Sequence, residues 1–71
     1  MLATVATTGE KLKRFRRGQT MTQLELAKKS GVAQSTIAQL ESGVRKTPHP
    51  GTLRKLADAL DVSPYELLED N

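Results

Sequence analysis

Cysteine is absent from the 71 residues, tryptophan too, and Phe15 and Tyr65 are the only aromatic side chains. Without thiols there is neither a disulfide framework nor a thiolate metal site to add stability. A chain this short draws only about 3 to 5 kcal/mol from a single core, so tight helix packing or self-association has to supply what covalent staples do not. No stretch approaches the ~18 apolar residues of a membrane span, and the opening MLATVATT lacks a basic n-region and a sustained apolar run. The expectation is a soluble cytoplasmic chain with no membrane partner. The one histidine, His49, sits between Pro48 and Pro50, and neither a glycine-rich phosphate loop nor a ligand cluster accompanies it. No catalytic residue, cofactor or metal is therefore expected, and the chain does not read as an enzyme. Asp58 with Asp61, and Glu66 with Glu69 and Asp70, read as solvated helix faces rather than as catalytic carboxylate pairs.

What is present is charge, unevenly placed. All eleven Lys and Arg residues lie at or before Lys55, against only Glu10, Glu25 and Glu41, whereas everything from Leu56 onward carries five acidic residues and no basic one. A chain so polarised faces a polyanion with its first part and turns its last part away from it.

Start and stop signals divide the chain into five short helical segments, with no sustained alternation of the kind strands require. The first runs from about Gly9 to Arg17 behind a Thr7/Glu10 capping box, in which hydroxyl and carboxylate each satisfy an orphan backbone N–H. Thr22 and Glu25 repeat the device ahead of a second helix, Gln23 to Ser30, stopped by Gly31. A third spans Gln34 to Ser42 and ends before Gly43. The basic loop from Val44 to His49 leads to Pro50, a favourable first helical residue, and Leu53, Leu56, Ala57 and Leu60 line one face of the fourth helix. Ser63, Pro64 and Glu66 announce a short fifth helix. The whole chain, 1–71, reads as one domain with a loose N-terminus over 1–8 and fraying in the last residue or two.

Residues 21–43, MTQLELAKKSGVAQSTIAQLESG, are the informative run. Two helices joined by a three- or four-residue turn, with small Ala27 permitting close approach and Gly31 free to take positive φ, form a helix-turn-helix over about 22–42. At about 100° per residue, Ile37 and Leu40 share one side of the second of these helices, and Gln34, Ser35 and Gln39 project elsewhere. That outward face is uncharged, short and rich in hydrogen-bonding groups, where an ordinary solvated face carries Lys and Glu. It suits base edges: a glutamine donates and accepts together, matching N7 and N6 of adenine, and serine serves in either role.

Residues 12–68 resemble the lambda-repressor-like, Cro/C1-type (XRE-like) helix-turn-helix family, in pattern most like lambdoid phage repressors. The matching stretches are LKRFR (12–16), TQLELAKKSGV (22–32), QSTIAQLESG (34–43) and TLRKLADALDVS (52–63). The resemblance implies an all-α, compact five-helix DNA-binding domain and sequence-specific duplex binding by a transcriptional regulator, a repressor, with helix 34–42 in the major groove. It implies base reading by Gln34, Ser35 and Gln39, and a phosphate contact by Gln23, which would also buttress Gln34. Lys46 matches a phosphate-contacting position, and Arg45 joins it on its charge and place alone. Arg16 and Glu41 match a structural ion pair. Three positions depart from the family pattern. Ala33 stands where Ser or Thr usually caps the recognition helix, Thr20 where glycine precedes helix two, so that the turn between helices one and two is expected to differ, and Asp61 where glycine follows helix four.

Too few base pairs fall within reach of one such helix to specify a genomic site, so a homodimer on a pseudo-palindromic operator is expected, with Val62, Tyr65 and Leu68 available for the contact or for the core. The competing reading is a protein-binding regulator, such as an antitoxin that holds a toxin as well as DNA; apolar Leu24 at an outward position of helix two is its one sequence argument. A membrane-surface helix at KLKRFRRG has only Leu12 and Phe15 as large apolar residues, which core packing uses better.

Overall fold

The computed structural model describes residues 7–68, so the expected looseness of residues 1–6 and fraying after 68 lie outside the described residues. Four α-helices follow one another, α1 Thr8–Gly18, α2 Gln23–Ser30, α3 Gln34–Ser42 and α4 Pro50–Leu60, and a 3-10 turn, Pro64–Leu67, closes the chain. No strand occurs among the described residues. The element expected as a fifth helix is thus a single 3-10 turn. Ser63 Oγ accepts from the Tyr65 N–H (3.3 Å) and Glu66 accepts from the Ser63 N–H (3.0 Å), so the start signal operates. The backbone leaves helical geometry again at Leu68 (φ −72°, ψ 147°), leaving four residues, too few to sustain an α-helical ladder.

Capping decides where the first two helices begin. Thr7 Oγ1 accepts from the Glu10 N–H at 3.1 Å and Thr22 Oγ1 from the Glu25 N–H at 3.0 Å, each glutamate reaching back to its cap. Of the stretch 1–8 expected to be loose, the two described residues are ordered: Thr7 caps α1 and Thr8 is buried in its first turn. Asp61 (φ 58°) and Thr20 (φ 54°) both occupy the left-handed region. Thr20 thereby takes the left-handed conformation that glycine adopts without cost, and as a β-branched residue it is strained there. The Thr20 hydroxyl donates to the Gln19 carbonyl (2.7 Å).

The core is aliphatic. Leu12, Leu26, Ile37, Leu40, Leu56, Leu60 and Leu67 are essentially fully buried, and Phe15, Met21, Ala27, Leu53 and Val62 pack against them. Val62 thus serves the core, whereas Tyr65 and Leu68 stay exposed; the turn's anchor is Leu67. The C-terminal segment is held by polar ties as well, since Gln19 Nε2 donates to the Leu60 carbonyl (2.7 Å) and Lys11 Nζ to that of Leu68 (2.8 Å). α1 packs on α3 and α2 on both α3 and α4. The α1–α3 approach is close enough that a Cβ on Gly9 would overlap the Leu40 carbonyl group, with the Glu41 Cα next nearest.

Candidate nucleic-acid interface

α3 is delivered to the surface by a turn that the local sequence builds. Gly31 ends α2 at φ 77°, where a β-carbon would be strained. The Val32 N–H then donates to Ser30 Oγ at 3.1 Å as the Val32 side chain enters the core. α3 starts at once behind Ala33, which makes no side-chain cap. Ile37 and Leu40 are buried and hold one side of the helix, while Gln34, Ser35 and Gln39 are exposed on the other. The three residues selected for base reading therefore share a solvent-facing surface with no acidic residue in the helix's first turn to repel a polyanion.

Behind that face lies a polar clamp. Arg16 grips Glu41 in a fork, Nε to Oε2 at 2.7 Å and Nη2 to Oε1 at 2.9 Å, and its Nη1 donates to the Met21 carbonyl at 2.6 Å. Both side chains are nearly covered, 10% and 4% exposed. One clamp thus ties α1, the turn after it and the C-terminal end of α3. Burial pushes the Glu41 carboxyl up, but hydrogen bonds from Arg16 and Gln23 and the charges of Arg16 and Lys13 outweigh it, and the group sits below its ordinary value. The same hydrogen bond raises Arg16 above its ordinary value. No buried side-chain nitrogen or oxygen among the described residues lacks a partner.

Gln23 corrects one expectation. Its Nε2 donates to Glu41 Oε1 at 3.1 Å, extending the clamp to the start of α2; no hydrogen bond from Gln23 to Gln34 exists among the described residues. The physical reason is charge: a carboxylate that retains acceptor capacity beyond its Arg16 fork outcompetes a neutral amide for the Gln23 donors.

The loop after α3 folds back along it. The Arg45 N–H donates to the Gln39 carbonyl at 3.0 Å and Arg45 Nε to Gln39 Oε1 at 3.3 Å. Lys46 is exposed beside it, and buried Pro48 anchors the loop's far end. Arg45, chosen from the sequence as a phosphate neighbour, therefore touches a selected base reader. Sequence reasoning had no signal for this six-residue link, nor for the Gln19 tie to α4, because both depend on where a loop or helix end comes to rest. Among the described residues, no group of three or more His, Asp or Glu comes together in a way that could hold a metal ion, and no helix is long and apolar enough to cross a membrane.

Residues 12–67 match the family model described as helix-turn-helix. The HTH-type transcriptional repressor RghR of Bacillus subtilis (strain 168) is 43% identical over 58 residues, covering 82% of this chain and 42% of the relative. The chain thus spans about half the length of that relative, and the matched stretch 42% of it. Among solved structures, the N-terminal DNA-binding domain of SinR from Bacillus subtilis superposes with a TM-score of 0.85 at 33% identity, covering 90% of this chain and 93% of the other. A crystal structure of SinR in complex with DNA gives 0.82 at 33% identity, covering 84% and 95%. With matched helices, a matched turn and an exposed polar face on the second of them, the chain belongs to the Cro/C1-type (XRE) helix-turn-helix family.

Proposed function

We propose that the protein is a transcriptional regulator, acting as a repressor in the cytoplasm, that reads a pseudo-palindromic duplex site as a homodimer. The observation that carries this reading is the outward face of α3, where Gln34, Ser35 and Gln39 stand exposed on a helix whose opposite side is locked into the core. Those side chains enter the major groove and pair with base edges, while Gln23, Arg45 and Lys46 supply phosphate contacts. SinR, a relative of the same fold, has been crystallised with DNA, which supports the duplex as ligand. Base readers set register and preference; lysine and arginine supply the larger, sequence-independent attraction.

Three short readers discriminate only a few base pairs. Two copies related by a two-fold axis place their α3 helices in successive major grooves about 34 Å apart and double the readout. Tyr65, 81% exposed, and Leu68, 43% exposed, supply apolar surface for that contact at the acidic end of the chain. The test is selection from random duplex DNA followed by footprinting and mass measurement on the enriched sequence. Two chains on a symmetric site support the reading, and a single chain on an asymmetric site rejects the dimer while keeping DNA binding.

A protein-holding role alongside DNA is the second reading, and the half-exposed Leu24 on α2 favours it. Under it, Leu24→Ser abolishes capture of the partner and leaves DNA affinity unchanged.

A further inference from the structure

The base-reading face contains one side chain whose amide oxygen already has a protein partner. Gln39 is gripped twice by Arg45: the main-chain N–H of Arg45 donates to the Gln39 carbonyl (3.0 Å), and Arg45 Nε donates to the side-chain Oε1 (3.3 Å). A guanidinium has donors only, so the amide atom that faces it has to be the oxygen, and the Gln39 NH2 group points away. Both side chains are exposed.

We infer that Gln39 and Arg45 form one donor-only reading unit that selects guanine, which makes Arg45 a specificity-determining residue as well as a source of positive charge. The inference rests on the proposed role of α3 in duplex binding. A free glutamine suits adenine, giving its NH2 to N7 and taking the N6 amino proton on its oxygen. Here the oxygen is engaged by Arg45. Should its second lone pair turn to adenine N6, the guanidinium would meet that same amino group donor against donor. Guanine presents O6 and N7, two acceptors side by side, and the Gln39 NH2 with the free terminal nitrogens of Arg45 presents donors to both. Gln34, which has no such partner among the described residues, keeps both halves of its amide for adenine.

The experiment uses the whole chain and the duplex enriched from a random pool. Affinity is measured by fluorescence anisotropy on that duplex and on the copy in which the G·C pair assigned to Gln39 is changed to A·T, at salt low enough to retain binding by every variant. Circular dichroism verifies folding. The native protein should prefer G·C by at least about fivefold, the lower end of what a well-made paired contact provides. Arg45→Met, which keeps the apolar stem and removes the donors, should bring the two duplexes within about twofold or favour A·T, and Gln39→Leu should lose the preference altogether. An unchanged G·C preference in Arg45→Met would overturn the inference while leaving DNA reading by α3 intact, as would an enriched site in which only A·T pairs respond to Gln39→Leu. If no duplex is enriched at all, the DNA-binding reading itself fails and this inference fails with it.

Discussion

Ile37, Leu40 and Glu41 hold the inward side of α3 against the core and the Arg16 fork, whereas Gln34, Ser35 and Gln39 on its outward side are exposed, and of these three only Gln39 bonds to Arg45 among the described residues. Nine residues thus serve two independent purposes. One side determines where the helix lies, and its errors are paid in folding stability; the other determines what the helix recognises, and its errors appear as lost affinity or altered preference. A surface designed only to be solvated would be rich in Lys and Glu, and the polar but uncharged outward side departs from that pattern.

The sharpest way to test this division is Ile37→Ala. Removing a fully buried branched side chain costs about 2 to 5 kcal/mol, comparable with the whole stability expected of a chain this size. The variant should therefore be largely unfolded at 25 °C by circular dichroism, whereas Gln34→Ala should change the unfolding free energy from urea titration by no more than about 0.5 kcal/mol and still lose DNA preference. An equally destabilised Gln34→Ala would erase the distinction.

Next in size is the clamp. Arg16→Met leaves Glu41 a nearly covered carboxylate without its fork, at a cost of about 3 to 5 kcal/mol, and the double variant with Glu41→Leu should be more stable than either single one. Urea titrations of all four proteins measure the coupling. Acid should reveal the same pair. Because the folded Glu41 carboxyl lies below its ordinary 4.5, its contribution is complete above that pH and is lost as pH falls through the folded value. Glu25, held low by the Thr22 hydrogen bonds, acts in the same direction. Glu41→Gln should accordingly flatten the loss of stability below about pH 4.5 without abolishing it.

On the outward side, Lys46→Ala should weaken binding about equally for every duplex and reduce the log–log salt slope by about one. A change of base preference with an unaltered slope would move Lys46 from phosphate to base. The smallest effects come from the edges of the elements. Ala33→Ser should add about 1 kcal/mol by capping α3, and Thr20→Gly a similar amount by relieving the left-handed threonine at φ 54°. Neither substitution should alter the salt slope.

Local chemistry was legible without coordinates. Thr7 with Glu10 and Thr22 with Glu25 are three apart, Gly31 comes directly after the last polar turn of α2, and Ile37 and Leu40 repeat at helical spacing, so cap, stop and buried side could each be read from a handful of neighbours. The family likeness added the Arg16 and Glu41 partnership across 25 positions. The last element was over-read because Ser63, Pro64 and Glu66 specify only a beginning. Its length depends on the residues beyond them, and Leu67 is drawn into the core before a second turn can form.

The sequence by itself determined the four α-helices, their order, the side of α3 that is buried and the separation of basic from acidic ends, because caps, periodicity and charge act over a few residues. Only the tertiary structure decided that Gly9 must be glycine against the Leu40 carbonyl, that Gln23 turns to Glu41, that Gln19 closes the end of α4, and that Arg45 settles on Gln39. Each of those joins residues from different elements whose approach is fixed by the packing of Leu12, Leu26, Leu40 and Leu56 around a shared core.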